Sequence, residues 1–373
     1  DHRDDTAMYA PRIRMDLGGV HLKRRHLTID KVTLREPRVN LVRYEIDSLT
    51  NISQILKRLK PLEPDTGRSW SVTTLSVGII DGAFVYRNEH EVPKPSGMDY
   101  DHVRIDSVFL DAALLQMQDD TIDVMIYHAA MRAEPGFALD SLQTRFRLWD
   151  QGIEARHLIM TSGESRLDLD LAFHFNIWKD FRNFLDEVQI HANIRKSRLN
   201  LSDIGPFAAV VYPMNNLFEI SGLARGTVRN FSVKNMQVIY GQGTYLAGDV
   251  SMNGIPDIYE TFVDARINRL TFSASDVQNF KMPRPELALK LPDMVNRLNG
   301  SIIAGNFTGF YNDFIFKAEA RTPFGSMLTD LVLRDQTTGD IAYTYQGQIR
   351  ATYFRLGQLL ASEETIGSIT ADL

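Results

Sequence analysis

Asp168 and Asp170 stand two residues apart in the stretch RLDLDLAFHFNI, residues 166–177. On a regular strand their carboxyls point the same way, about 7 Å apart. Paired carboxylates at such a spacing can serve glycoside hydrolysis, one as acid and one as base or nucleophile. Both lie mid-strand beside Arg166 and opposite a row of large apolar residues, so a solvated outer face accounts for them without chemistry. The nine histidines, at positions 2, 21, 26, 90, 102, 128, 157, 174 and 191, are scattered. None falls in the HExxH spacing that puts two metal ligands on one helix face. His174 sits on the polar side of the same stretch, where a wetted strand face is again the plainer role.

Other short patterns weaken on inspection. GQGTYLAG, residues 241–248, holds a lone GxG with neither a Walker lysine nor GxGxxG spacing before a helix, and reads as a hairpin turn. TSGESR, residues 161–166, lacks the GxSxG frame of a nucleophile elbow. Asn51, Asn230 and Asn306 each open an N-x-S/T sequon, which matters only in a eukaryotic secretory setting. The chain has no cysteine, which excludes disulfides, thiolate metal sites and cysteine nucleophiles. No constellation points to an enzyme, a metal or a cofactor.

The elements that carry these residues are more informative than the residues. Leu167, Leu169, Leu171, Phe173, Phe175 and Ile177 fill every second position, with Asp168, Asp170, His174 and Asn176 among those between. Twelve alternating residues predict a strand about 40 Å long, about twice the usual length, with one apolar and one wet face. The same period recurs at Leu27 and Ile29, Val32 and Leu34, Phe146 and Leu148, Phe314 and Phe316, and Tyr343 and Tyr345. Helical spacing is confined to SLTNISQILKRLK, DFRNFLDEV, LGQLLAS and LPDMVNRLN. The pattern predicts a mostly antiparallel β protein. No linker rich in Pro, Gly or Ser interrupts it, so residues 1–373 read as one continuous segment without a firm internal boundary. Loop insertions are expected near 91–99 and 281–293.

Forty-one basic against 47 acidic residues give a net charge of −6, and no long basic run exists. That argues against nucleic acid, whose phosphates need a clustered positive field. The short run Lys23-Arg24-Arg25-His26 reads as a solvated edge or turn. No run of about 18 apolar residues is present to span a bilayer as a helix. The chain starts at Asp1 and stops inside the alternating run GSITADL, from which we expect a piece of a longer protein. If two sheets close on each other, the apolar faces make a core about 10 Å thick. If one sheet curls without closing, its apolar face needs another occupant.

Several segments in order resemble the AsmA-like superfamily, specifically the TamB-type translocation and assembly module proteins, of a Bacteroidetes-like kind. LTIDKVTLREPRVNLVRYE followed by SLTNISQIL resembles the family's opening unit, and DFRNFLDEV followed by SRLNLSDIGPF its middle. FEISGLARGTVRNFSVKNMQV comes next, then GNFTGFYNDFIFKAEARTPFGSMLTDLVL and YQGQIRATYFRLGQLLASEETIGSITADL, with Gly305, Gly309, Gly325, Gly347 and Gly357 in place. The resemblance implies an elongated, curled, taco-like β-groove with a few short helices. It implies location in the periplasm of a Gram-negative bacterium, anchored in the inner membrane by a segment outside this chain. The implied partners are phospholipid acyl chains and, through other regions, an outer-membrane barrel of the BamA/TamA type. Residues expected to line the groove are Leu167, Leu169, Leu171, Phe173, Phe175, Ile177, Phe146, Leu148, Phe314, Phe316, Tyr343 and Tyr345. The implied activity is phospholipid transport between the membranes; the alternative is a scaffold or chaperone that assists outer-membrane proteins by strand pairing.

Overall fold

The computed structural model describes residues 6–54, 70–95, 97–255, 257, 260–283, 293–336 and 342–372. Among them, twenty strands join one mixed sheet that does not close, with only a few short helices. The mostly β reading of the alternation therefore holds. Contacts divide the chain into two compact units, Asp1–Ala172 with Leu201–Tyr212, and Phe173–Asn200 with Pro213–Leu373. One changeover falls inside a strand and another where a strand meets a turn, which is why no linker composition marks them.

In the first unit, β1 (Met8–Tyr9) pairs antiparallel with β4 (Arg38–Arg43), and β2 (Arg12–His21) with β3 (His26–Arg35). β3 and β4 both run parallel to β5 (Ser71–Asn88). Pro37 separates them, a residue with no N–H to give a ladder. This edge departs from the expected antiparallel order. A parallel neighbour requires a crossover, and the chain supplies one between β4 and β5 that includes helical residues 51–54. Asn51 is fully buried there: its Oδ1 accepts the Val42 N–H at 3.1 Å and its Nδ2 donates to the Asn40 carbonyl at 3.0 Å. Its sequon is thus absorbed in packing. From β5 the chain runs through hairpins β6 (His102–Gln118), β7 (Thr121–Ala133), β8 (Phe137–Trp149) and β9 (Gly152–Ser162), and β9 pairs with β10 (Ser165–His174).

The second unit is a plain meander. β11 (Gln189–Asn200), β12 (Leu217–Gly226), β13 (Asn230–Tyr240), β14 (Thr244–Asn253) and β15 (Phe262–Thr271) pair in order. β16 (Ile302–Gly309), β17 (Phe314–Thr322), β18 (Gly325–Gln336), β19 (Ala342–Phe354) and β20 (Ile369–Asp372) continue it, every pair antiparallel. The expected insertion near 281–293 lies mostly outside the described residues.

Two hairpins are held by the same device. After β11, the turn Leu201–Ile204 brings Asp203 to the hairpin of TSGES, where it accepts the Glu164 and Ser165 N–H groups at 3.1 and 2.8 Å and the Ser165 hydroxyl at 2.6 Å. In the second unit, Asp276 in the helix Ala274–Asn279 accepts the N–H groups of Gln242, Gly243 and Thr244 and the Thr244 hydroxyl, all within 3.1 Å. Gly163 (φ +57°) and Gly241 (φ +61°) admit the carboxylates, since a Cβ at either would lie 2.3 or 2.1 Å from an aspartate oxygen. The turns that raised the question of a nucleophile elbow and a phosphate loop are hairpins clamped by aspartate.

Asp276 is 7% exposed. Burial pushes its carboxyl up, but the four donated hydrogen bonds outweigh that and hold it below the ordinary carboxylate value. Asp276→Ala leaves those donors without an acceptor and is expected to cost about 1–3 kcal/mol of stability at neutral pH. A carboxyl depressed in the folded state contributes fully above its unfolded value, about pH 4, and loses that contribution as the pH falls through the folded value. Urea melts of wild type and Asp276→Ala should therefore converge in acid. A gap that stayed constant down to low pH would contradict the clamp.

Candidate functional site: an apolar sheet face

In an antiparallel ladder, directly opposed residues share a face, so register alone maps each side of the second unit. One row runs Ala192, Ala224, Val233, Val250, Ala265, Phe307, Phe316, Leu331 and Gly347. It crosses nine strands, about 38 Å at the usual interstrand spacing, without one polar side-chain atom. The next row runs Met236, Gly248, Ile267, Gly305, Ala318, Thr329 and Ile349, alternating large with small for most of its length.

The opposite face is charged. Lys234 meets Asp249 at 3.4 Å, Lys317 meets Asp330 at 2.8 Å, and the Thr308 hydroxyl donates to Asp264 at 2.8 Å. Asp249 also accepts the Asn235 N–H at 2.9 Å, where the chain bulges at φ +52°. That bond, with Lys234 beside it, holds the Asp249 carboxyl below the usual range. In the first unit Asp170 does the same for the His157 N–H at 2.6 Å, at φ +51°. Asp170 thus has a structural task. Among the described residues, no three His, Cys, Asp or Glu converge to hold a metal.

Large residues on the apolar face are mostly half-buried: Phe307, Phe316 and Leu331 are neither core nor open surface, while Val250 and Leu333 reach 8% exposure. All strands among the described residues belong to one sheet. Short helices cover strand ends. Phe175, 5% exposed, packs 4.8 Å from the Trp178 ring and 4.9 Å from Phe181, and Phe173 lies 5.6 Å from Phe184. Phe280 packs 5.5 Å from Tyr240, the last residue of β13. Leu359 packs with Phe354 and Ala351 at the end of β19.

The expected lining residues fall as follows. Leu167, Leu169 and Leu171 lie on β10, Leu169 buried and the others half-buried. Phe146 stands between Val124 and Ala155, and Leu148 between Ile122 and Ile153, in apolar rows of the first unit. Phe314 and Phe316 belong to the face of the second unit. The backbone of Tyr345 opposes Leu333, but the side chains of Tyr343 and Tyr345 lie outside the described residues. The twelve-residue strand stops at His174, and Ile177 leaves it to sit 57% exposed. The cause is Asp180, whose carboxylate takes the N–H groups of Asn176 and Ile177 at 2.8 and 3.1 Å and starts the 3-10 turn Trp178–Asn183.

Sequence reasoning missed Asp203, Asp276 and Thr329. The first two had a signal, a Ser-Asp pair just past a strand. Thr329 had none, because β-branched threonine fits a strand as well as valine does. No protein-family model, curated protein or solved structure matches this chain. No described helix is long and apolar enough to cross a membrane.

Thr329 Oγ1 is buried on the apolar face with no hydrogen-bond partner among the described residues. Replacing it with a methyl removes an unmet desolvation cost, so Thr329→Val is expected to stabilise the protein by about 1 kcal/mol. Denaturant midpoints of the two proteins check this; a loss of stability would mean that the hydroxyl has a partner.

Proposed function

We propose that this chain carries phospholipid along its apolar sheet face, shielding acyl chains as they pass between the two membranes of a Gram-negative envelope. The observation that carries this reading is the nine-strand row from Ala192 to Gly347, apolar throughout. Burying an acyl chain stabilises it by about 0.8 kcal/mol per methylene and needs no specific hydrogen bond. A face of such even chemistry also lets a chain slide, since no position holds it much better than the next. Transport on these terms needs no catalytic residue. On this reading the protein acts in the periplasm with an outer-membrane barrel of the BamA/TamA type, as the family resemblance implies.

A second reading, a scaffold that pairs with strands of other proteins, is favoured by β2. Among the described residues it pairs with β3 alone. Its Ile13, Met15, Leu17 and Val20 are 50–64% exposed. An apolar strand with a free edge is a template for added strands.

Native mass spectrometry of the purified chain separates the two. Phospholipid is expected to co-purify, and Phe316→Arg, which sets a charge in the row, should reduce it about tenfold or more while the fold survives. Leu17→Pro on β2 should leave it unchanged. Lipid-free protein after incubation with liposomes would sink the first reading, and loss of strand-peptide binding in Leu17→Pro would support the second.

A further inference from the structure

On the charged face of the second unit, where the ends of β11 to β14 meet the turn after β12, lies a polar cavity of about 630 Å3. His191, Arg225 and Ser232 oppose one another in register at its base, backing the apolar row at Ala192, Ala224 and Val233. Gln189, Asn230 and Asn253 contribute amides to its lining.

One positive charge here, that of Arg225, stands in excess. Arg229 is matched by Asp186, Nε to Oδ1 2.5 Å. Arg225 makes no ion pair among the described residues. His191 meets His174 edge to face, ring centroids 5.1 Å apart. Burial, His174 and Arg225 all depress the imidazolium of His191. Asp186, already engaged, is the carboxylate that lines the cavity. Such an arrangement suits an anion, and a guanidinium recognises phosphate well.

The cavity is too large for phosphate alone and falls within the range of small-ligand sites, about 300–1,000 Å3. Its amides and the Ser232 hydroxyl offer donors and acceptors suited to hydroxyl groups. None of its lining residues is a Phe, Tyr or Trp on which a nucleobase could stack. We propose that this cavity binds a phosphorylated polyol, with Arg225 and His191 on the phosphate and Gln189, Asn253 and Ser232 on the hydroxyls. The site is on the face opposite the apolar row and does not depend on lipid transport.

Isothermal titration of the whole chain with glucose 6-phosphate, glucose and inorganic phosphate tests it. Glucose 6-phosphate should bind about tenfold or more tightly than either fragment, and Arg225→Ala should weaken it by a similar factor. Arg225 is exposed, so the thermal melt should not move; should that variant fail to fold, Asn253→Ala serves and should also weaken binding. Vesicles bearing phosphatidylinositol 4-phosphate distinguish the sources: capture that is lost in Arg225→Ala assigns a lipid headgroup, and binding of the soluble ester alone assigns a free metabolite. No heat with glucose 6-phosphate, equal affinity for bare phosphate, or affinity unchanged in Arg225→Ala would each overturn the proposal.

Discussion

Because strand side chains alternate with a period of two, a slip of one residue between neighbours would turn charged residues into the apolar row and apolar ones into water. Nine strands of the second unit must keep that parity together, and each bulge threatens it. At two bulges the chain meets the threat with a carboxylate. At Asn235 and His157, where a residue adopts positive φ, an aspartate on the next strand takes the stranded N–H. At the Gly163 and Gly241 turns, an aspartate far along the chain takes several N–H groups at once. The polar face is thus the side on which the register of the apolar face is fixed.

That division gives carboxylates that resemble catalytic ones a structural task. Asp170 lies where a glycosidase pair could lie, yet its oxygen is committed to the His157 N–H. Asp203 and Asp276 sit beside Ser165 and Thr244, combinations that invite thoughts of nucleophiles, but each hydroxyl donates to its carboxylate as part of a turn. Dense hydrogen bonding around an acid is here a sign of backbone geometry.

The strand period was legible at a glance, and with it the fold class, because alternation is a local property. Strand ends were less so: the run from Leu167 to Ile177 alternates past the point where Asp180 diverts the backbone into a turn. The parallel pairing of β3 and β4 with β5 was hidden, since a strand has the same period whichever way its neighbour runs. Encounters set by pairing were hidden too. His174 and His191 are unremarkable as scattered histidines, and only the fold brings their rings together. One boundary between the two compact units cuts through β10, where hydrophobic rhythm continues unbroken.

The aspartate clamps also bear on how such a chain could have grown. In both, a turn that follows a strand reaches back to close an earlier hairpin, so a group of strands finishes with its own fastening. A group fastened in this way can be copied in tandem without redesigning its neighbours: the new strands bring their own wet face, their own greasy face and the acid that keeps them in step. Length then becomes a quantity that duplication can adjust.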